Sequence, residues 1–298
     1  MLKNVEILMM QMIESLNDGY VLELFQKVPK GKRLRAKLIL KIAGLSDDAY
    51  KLAAIVELIH AASLLHDDVI DDALTRRGKE SINAVFGDKT SIMLGDILYS
   101  KGFAELTTLP SSVAYKVSNA VAILSIGELL DVKLSNSFNE NEDLYMDMIY
   151  KKTASLIEAA SASAAMLAKK DVEIYELYGR NLGLAFQIID DVLDITQDSK
   201  KLGKPAMHDF KEGKTTLPYM YMYSRIDAKD KTRLKELFKK DLSQNDRIWI
   251  KNKMQESFSL DDSIKMAKRL GLEALEAIKN EGNEGLSKII TEMIERDF

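Results

Sequence analysis

Four aspartates and two arginines interrupt an otherwise apolar helical stretch, LIHAASLLHDDVIDDALTRRG, from Leu58 to Gly78. On a helix Asp67 and Asp71 stand one above the other at i,i+4, with Asp68 and Asp72 as a parallel pair beside them. Like charges at that spacing cost an isolated helix roughly 0.2–0.5 kcal/mol per pair, so a cation should offset them. Close oxygen donors in a chain without cysteine suit Mg²⁺, which binds through one or two carboxylates plus substrate phosphates and keeps some of its waters. Arg76 and Arg77 follow at once, and arginine recognises phosphate through a planar fork. Carboxylate, metal, phosphate and guanidinium therefore read as one constellation, against the plainer alternative of a solvated acidic helix end.

A second stretch repeats the theme. FQIIDDVLD places Asp190 and Asp194 at i,i+4, with Asp191 adjacent and Gln187 one turn upstream. Two DDxxD clusters facing each other across a helix bundle would hold several divalent ions around a diphosphate, as carboxylate metal sites do on facing bundle helices. The following LGKPAMHDFKEGKTTLP, with Lys204, Asp209 and Lys214, reads as a loop that folds over such a site. Near the N-terminus Lys32, Arg33 and Arg35 open a helix at the end where the macrodipole is already positive, which suits an anion site or a solvated basic turn. His60 lies about two turns before Asp67 on the same face and reads as a packed neighbour, while His66 points away from the Asp67–Asp71 line.

The elements that must carry these residues are helices. Only four prolines occur in 298 residues, glycine is sparse, and Ala, Leu, Ile, Lys and Glu dominate, with no linker-like stretch dividing the chain. Helical periodicity runs from 3 to about 27, from about 48 to 75 behind Ser46 and Asp47 as N-caps, from 89 to 107, from 111 to 136 and from 171 to 198. Asn139 and Glu142 resemble a capping box for a helix carrying Lys151, Lys152 and Thr153, followed by an Ala/Ser-rich stretch. Those small residues allow either close helix packing or room for a ligand. From Asp227 onward the pattern is amphipathic helix with no evident chemistry. The net charge of −4 argues against a nucleic-acid partner, and the absence of cysteine excludes disulfides and thiolate zinc sites. Glu6 and Glu14 within the first apolar pattern suit an amphipathic helix rather than a signal peptide, and a cytoplasmic location is expected. No run of eighteen apolar residues lacks a charge, so no membrane span is expected.

Taken together these motifs resemble the trans-polyprenyl diphosphate synthase family over nearly the whole chain, with an appearance like its bacterial octaprenyl members. The two aspartate-rich motifs match Asp67, Asp68, Asp71 and Asp190, Asp191, Asp194, and the early GKRLR segment matches Gly31 to Arg35. The resemblance implies an all-α, single-domain bundle of long helices around a central active-site cavity, the isoprenoid synthase fold, over residues 1–298. It implies six metal-binding aspartates, the three of each motif, holding Mg²⁺, three ions once diphosphate is bound. By carry-over Lys32, Arg35, His60 and Arg77 would bind isopentenyl diphosphate, while Arg76, Lys152, Thr153, Gln187, Lys204 and Lys214 would hold an allylic diphosphate primer. Asp67, Asp71, Asp190, Lys152 and Lys204 would carry the catalytic ionisation. A homodimer and peripheral membrane contact on product release are further implications.

This sequence departs from the family pattern at four places. Ala36 replaces a common proline, Lys30 a glycine, Asp131 a glutamine, and Met207-His208 a small pair. None removes a charged ligand. Ala62 and Ser63 are small where short-chain members commonly carry an aromatic floor, and the helix rises about 28 Å from Asp67 back to Asp48. A long-chain product of the octaprenyl class is therefore expected, with a farnesyl or geranylgeranyl diphosphate synthase as the alternative. A terpene cyclase would have no use for Lys32, Arg35 and Arg77, and a non-catalytic synthase subunit would show eroded aspartate motifs.

Overall fold

Ser46 closes a short turn and caps the helix that carries the first aspartate cluster, its Oγ accepting from Ala49 N at 3.2 Å. The computed structural model describes residues 1–197 and 206–294, and these are overwhelmingly helical. Lys204 lies outside the described residues. Their contacts fall into two compact units, Met1–Ala122 with Leu156–Gly179 and Ile123–Ser155 with Arg180–Phe298.

In the first unit α1 (Leu2–Glu14), α2 (Gly19–Lys27) and α3 (Leu34–Ala43) precede the long α4 (Asp47–Ile70). The periodicity predicted one helix from 3 to 27, and the structure breaks it. Asn17 adopts φ 55°, and Asp18 caps a new helix by accepting from Tyr20 N at 2.9 Å and Val21 N at 3.0 Å. Helix α4 packs on α1, α3 and, after α5 (Ile82–Phe86), on α6 (Asp88–Leu106). Leu52, Ile55, Val56, Leu58 and Ile59 are wholly buried along it. Gly95 on α6 makes the closer approach, since a Cβ there would collide with the His66 ring of α4, while one on Gly102 would lie 3.1 Å from Ile59.

Helix α4 stops at Ile70, short of the predicted residue 75, because Asp72 turns into the left-handed region with φ 48°. Asp72 N then bonds Val69 O at 3.3 Å and Ala73 N bonds Asp68 O at 2.8 Å, the paired bonds of a Schellman stop. Asp72 therefore leaves the helix, and the predicted Asp68–Asp72 pair does not form. A two-residue hairpin follows, Thr75–Arg76 against Lys79–Glu80, with Arg77 at φ 54° and Gly78 at φ 73° in its turn.

Among the described residues helix α7 (Ser111–Leu134) is the one long and apolar enough by length and composition to pass the test for a membrane span, and it too carries charges. It passes that test because its charges lie toward its ends, at Lys116, Glu128, Asp131 and Lys133. In α9 (Ser155–Ala168) the small residues serve close packing: a Cβ on Gly179, within α10 (Val172–Thr196), would sit 2.8 Å from Glu158 Cα.

In the second unit α8 (Glu142–Ile149) starts two residues later than the expected capping box. Asn141 is its cap, accepting from Leu144 N at 3.1 Å, while Asn139 Oδ1 accepts from Asn141 N at 3.0 Å. A π-helical turn, Tyr150–Ala154, joins α8 to α9. A Cβ on Gly127 would collide with the backbone nitrogen of Lys152, and one on Gly183 would lie 2.6 Å from Ala154 Cα, so glycines on both flanking helices admit this turn. Beyond α11 (His208–Lys211), α12 (Leu217–Arg225) packs on α15 (Ser259–Ala277), with α13 (Ala228–Leu237) and α14 (Gln244–Glu256) between them in sequence and α16 (Glu284–Ile294) after. Phe210, Tyr219, Phe138 and Phe238 form an aromatic core there, Phe210 stacking on Tyr219 at 4.3 Å between centroids.

Candidate active site

In the first unit the aspartate cluster and the basic residues share one corner. Asp67 and Asp71 are half-buried, whereas Asp68 is buried and accepts from Arg76 Nε at 2.5 Å. Burial raises the Asp68 pKa, with Arg76 opposing the shift. The hairpin turns Arg77 back over the preceding loop, where it donates to Pro29 O at 3.0 Å. Its guanidinium occupies the space a Cβ on Gly31 would need, with Nη1 2.6 Å from that point. A side chain at 31 would therefore displace the Arg77 guanidinium from this position.

Arg33, Arg35, Arg76 and Arg77 all act on His60, whose pKa falls well below its usual value through burial first and these four cations next. His60 is neutral at pH 7 in consequence. Arg35 is itself lowered to about 10, by burial against the opposing attraction of Glu57. Glu57 was not singled out in the sequence. It is buried on α4 and accepts from Ala36 N at 3.0 Å and from Arg33 Nη1 at 3.3 Å. The departure at Ala36 therefore has a use, since proline there would have no N–H to give. Arg33 and Lys30 also pair with Glu6, at 3.5 and 2.6 Å, so they are less available to an anion than Arg35 and Arg77. Lys32 is exposed. Ala62 is fully buried, and Ser63 bonds back to His60 O at 2.9 Å. His66 packs away from the cluster, on Gly95, with Nε2 3.1 Å from Ile92 O.

In the second unit a pocket gathers Lys152, Thr153, Gln187 and Lys214 with Asp191 and Asp209. The π turn positions the first two, a distortion of the kind often found at functional sites. Lys152 Nζ lies 2.9 Å from Glu128 Oε1 and 2.6 Å from Asp131 Oδ2, so two carboxylates on α7 fix its direction. Thr153 Oγ1 donates to Gln187 Oε1 at 2.8 Å, and Gln187 Nε2 donates to Asp191 Oδ1 at 2.8 Å. The second aspartate cluster divides by burial. Asp190 is half-buried, Asp191 is 3% exposed, and Asp194 is 2% exposed with Oδ2 accepting from Asp209 N at 3.2 Å. Burial, then the nearby Asp209 charge, pushes the Asp191 pKa up. Glu212 bridges His208 Nε2 and Lys214 Nζ, each at 2.8 Å. Burial would raise its pKa, but those two contacts outweigh it and hold it at about 2.

Among the described residues no group of three or more His, Cys, Asp or Glu closes around one point. Half-buried carboxylates offered singly or in pairs, as at Asp67, Asp71 and Asp190, fit a hard cation that completes its shell from diphosphate oxygens and water.

A polyprenyl synthetase family model matches residues 19–255. The chain belongs to that family. The crystal structure of octaprenyl pyrophosphate synthase from Helicobacter pylori superposes with a TM-score of 0.95 at 44% identity, covering 99% of this chain and 98% of that one. The octaprenyl diphosphate synthase of Escherichia coli is 42% identical over 199 residues, 64% of this chain and 62% of that enzyme. A short chain isoprenyl diphosphate synthase of Methanothermobacter thermautotrophicus is 39% identical over 216 residues, 68% of this chain and 66% of its own length. Each of these two sequence matches spans just under two thirds of the relative it matches. The expected all-α class is the observed one, and the superposition gives the chain the prenyl synthase fold.

Proposed function

We propose that the chain is a Mg²⁺-dependent trans-prenyltransferase that adds isopentenyl diphosphate units to an allylic diphosphate and makes a long-chain, octaprenyl-class polyprenyl diphosphate. The observation that carries this reading is the second-unit pocket, where Lys152, Thr153, Gln187 and Lys214 converge beside the second aspartate cluster. Cationic and neutral donors set among carboxylates suit a ligand that is an anion accompanied by metal.

In the reaction the allylic carbon–oxygen bond breaks to give diphosphate and an allylic cation. Lys152 and Lys214, with Thr153 and Gln187 as neutral donors, hold the leaving diphosphate as its charge grows. Arg76 and Lys204 are assigned the same task from the sequence. Asp67, Asp68 and Asp71 with Asp190, Asp191 and Asp194 are the proposed metal ligands, and bound Mg²⁺ ions supply Lewis-acid stabilisation of the departing oxygen. Lys32, Arg35 and Arg77 bind the diphosphate of isopentenyl diphosphate. His60, kept neutral by burial and then by its four arginine neighbours, adds a hydrogen bond rather than a further charge. The double bond of isopentenyl diphosphate attacks the cation, a new carbon–carbon bond forms, and loss of a proton restores an alkene one unit longer. The released diphosphate takes that proton. No protein nucleophile is needed.

The product length rests on Ala62 and Ser63, small residues one turn above Asp67, and on similarity to octaprenyl synthases. We further propose a homodimeric, cytoplasmic protein that meets a membrane surface only to release its product. Incubation with farnesyl diphosphate, isopentenyl diphosphate and Mg²⁺, followed by sizing of the dephosphorylated products, tests the reading. Chains near eight units are expected. Products that stop at three or four units would replace the long-chain assignment, and a cyclised hydrocarbon would replace the reaction.

A further inference from the structure

We infer that Tyr145 is a positioning residue, which acts through Asp191 to set the metal and diphosphate affinity of the second-unit pocket. The inference rests on the assignment of that pocket to an allylic diphosphate. Tyr145 stands on α8 and is 1% exposed, and its hydroxyl donates to Asp191 Oδ2 at 2.6 Å. Asp191 Oδ1 takes a second donor, Gln187 Nε2, at 2.8 Å, and Gln187 Oε1 accepts from Thr153 Oγ1 at 2.8 Å. The result is one continuous run of hydrogen bonds, from Tyr145 to Asp191, from Gln187 to the same carboxylate, and from Thr153 to Gln187.

The run has a fixed sense. Gln187 turns its amide nitrogen toward Asp191 and presents its oxygen to Thr153, because only the nitrogen of its amide can donate. Tyr145 donates as well, its buried hydroxyl lying 2.6 Å from Asp191 Oδ2. Both oxygens of Asp191 are thereby held toward protein donors. Its neighbour Asp190, half-buried, is the cluster member more open to a cation. Tyrosine is a costly way to fill a buried site unless its hydroxyl finds a partner. Here that partner lies inside the aspartate cluster, on the wall of the pocket that also holds Lys152.

Without the hydroxyl, Asp191 Oδ2 would be a buried acceptor lacking this donor, and the carboxylate would turn toward the pocket and the cations there. The geometry that presents Gln187 and Thr153 would loosen with it. The first-unit basic cluster around Arg35 and Arg77 contains none of these residues.

The test is Tyr145→Phe in the full-length protein, with inorganic diphosphate as the calorimetric probe across a series of Mg²⁺ concentrations. The variant should fold with an unaltered circular dichroism spectrum. It should bind diphosphate about tenfold more weakly, a factor equivalent to about 1.4 kcal/mol, and need correspondingly more Mg²⁺ for half-saturation. The KM for isopentenyl diphosphate should stay within about twofold, a split that general loosening of the fold would not produce. In an Asp191→Asn background Tyr145→Phe should add nothing further, since its effect is transmitted through that carboxylate. Unchanged diphosphate affinity in Tyr145→Phe, additive losses in the double variant, or a collapsed fold would each overturn the inference. If the wild-type protein itself binds no diphosphate in Mg²⁺, the pocket assignment fails instead.

Discussion

Replacing Glu57 with glutamine keeps the shape of a buried side chain and removes its charge. In the wild-type protein one carboxylate serves both Ala36 N at 3.0 Å and Arg33 Nη1 at 3.3 Å, while also attracting Arg35. A hydrogen bond to a charged group contributes roughly 1.5–3 kcal/mol and a neutral one roughly 0.5–1.5 kcal/mol, so neutralising the acceptor costs about 1 kcal/mol per bond. To this is added the loss of a buried counter-charge beside Arg33, Arg35 and Arg77, for which breaking a buried pair sets an upper bound of roughly 3–5 kcal/mol. Arg33 is 14% exposed on its side chain and can rehydrate in part, which favours the lower end. The expected destabilisation is about 3 kcal/mol. Urea unfolding followed by circular dichroism should show a lower midpoint with an unchanged slope. A loss below about 0.5 kcal/mol would refute the idea that Glu57 organises the start of α3 and the basic corner.

Three further outcomes follow from single contacts. Glu212, held at about 2 by His208 and Lys214 against an ordinary value of 4.5, contributes stability that is fully present above about pH 4.5 and is lost as pH falls toward 2; Glu212→Gln should flatten that part of an acid-unfolding curve. Gly127→Ala would drive a methyl into the backbone of Lys152, so it should destabilise by about 1–3 kcal/mol and lower turnover, readable from thermal unfolding beside a steady-state assay. Ala62→Tyr should shorten the product markedly while leaving catalysis in place, as chromatography of the chains would reveal; an unaltered product distribution would end the open-route reading.

Features set by local chemistry were legible in the chain. Ser46 as a cap, the 89–107 helix found at Asp88–Leu106, and the second aspartate helix found at Val172–Thr196 all depend on neighbours a few residues away. The two aspartate clusters and the basic segment before α3 were likewise visible as spacing alone. Boundaries failed where a side chain captured backbone that periodicity had assigned to a helix, as Asp18 does, or where an aspartate took the left-handed turn that ends α4, as Asp72 does. The partners of the chemistry were not legible. Glu57 meets Arg33 across 24 positions, Lys152 meets Asp131 across 21, and Tyr145 meets Asp191 across 46. Glu57 does stand three residues before His60, and Tyr145 seven before Lys152, but such intervals acquire meaning only once helices pack. A sequence specifies which faces are apolar and where charge accumulates, because these depend on residue type and helical period. Which carboxylate meets which cation depends on how closely two helices approach, and here glycines at 127 and 183 set that distance.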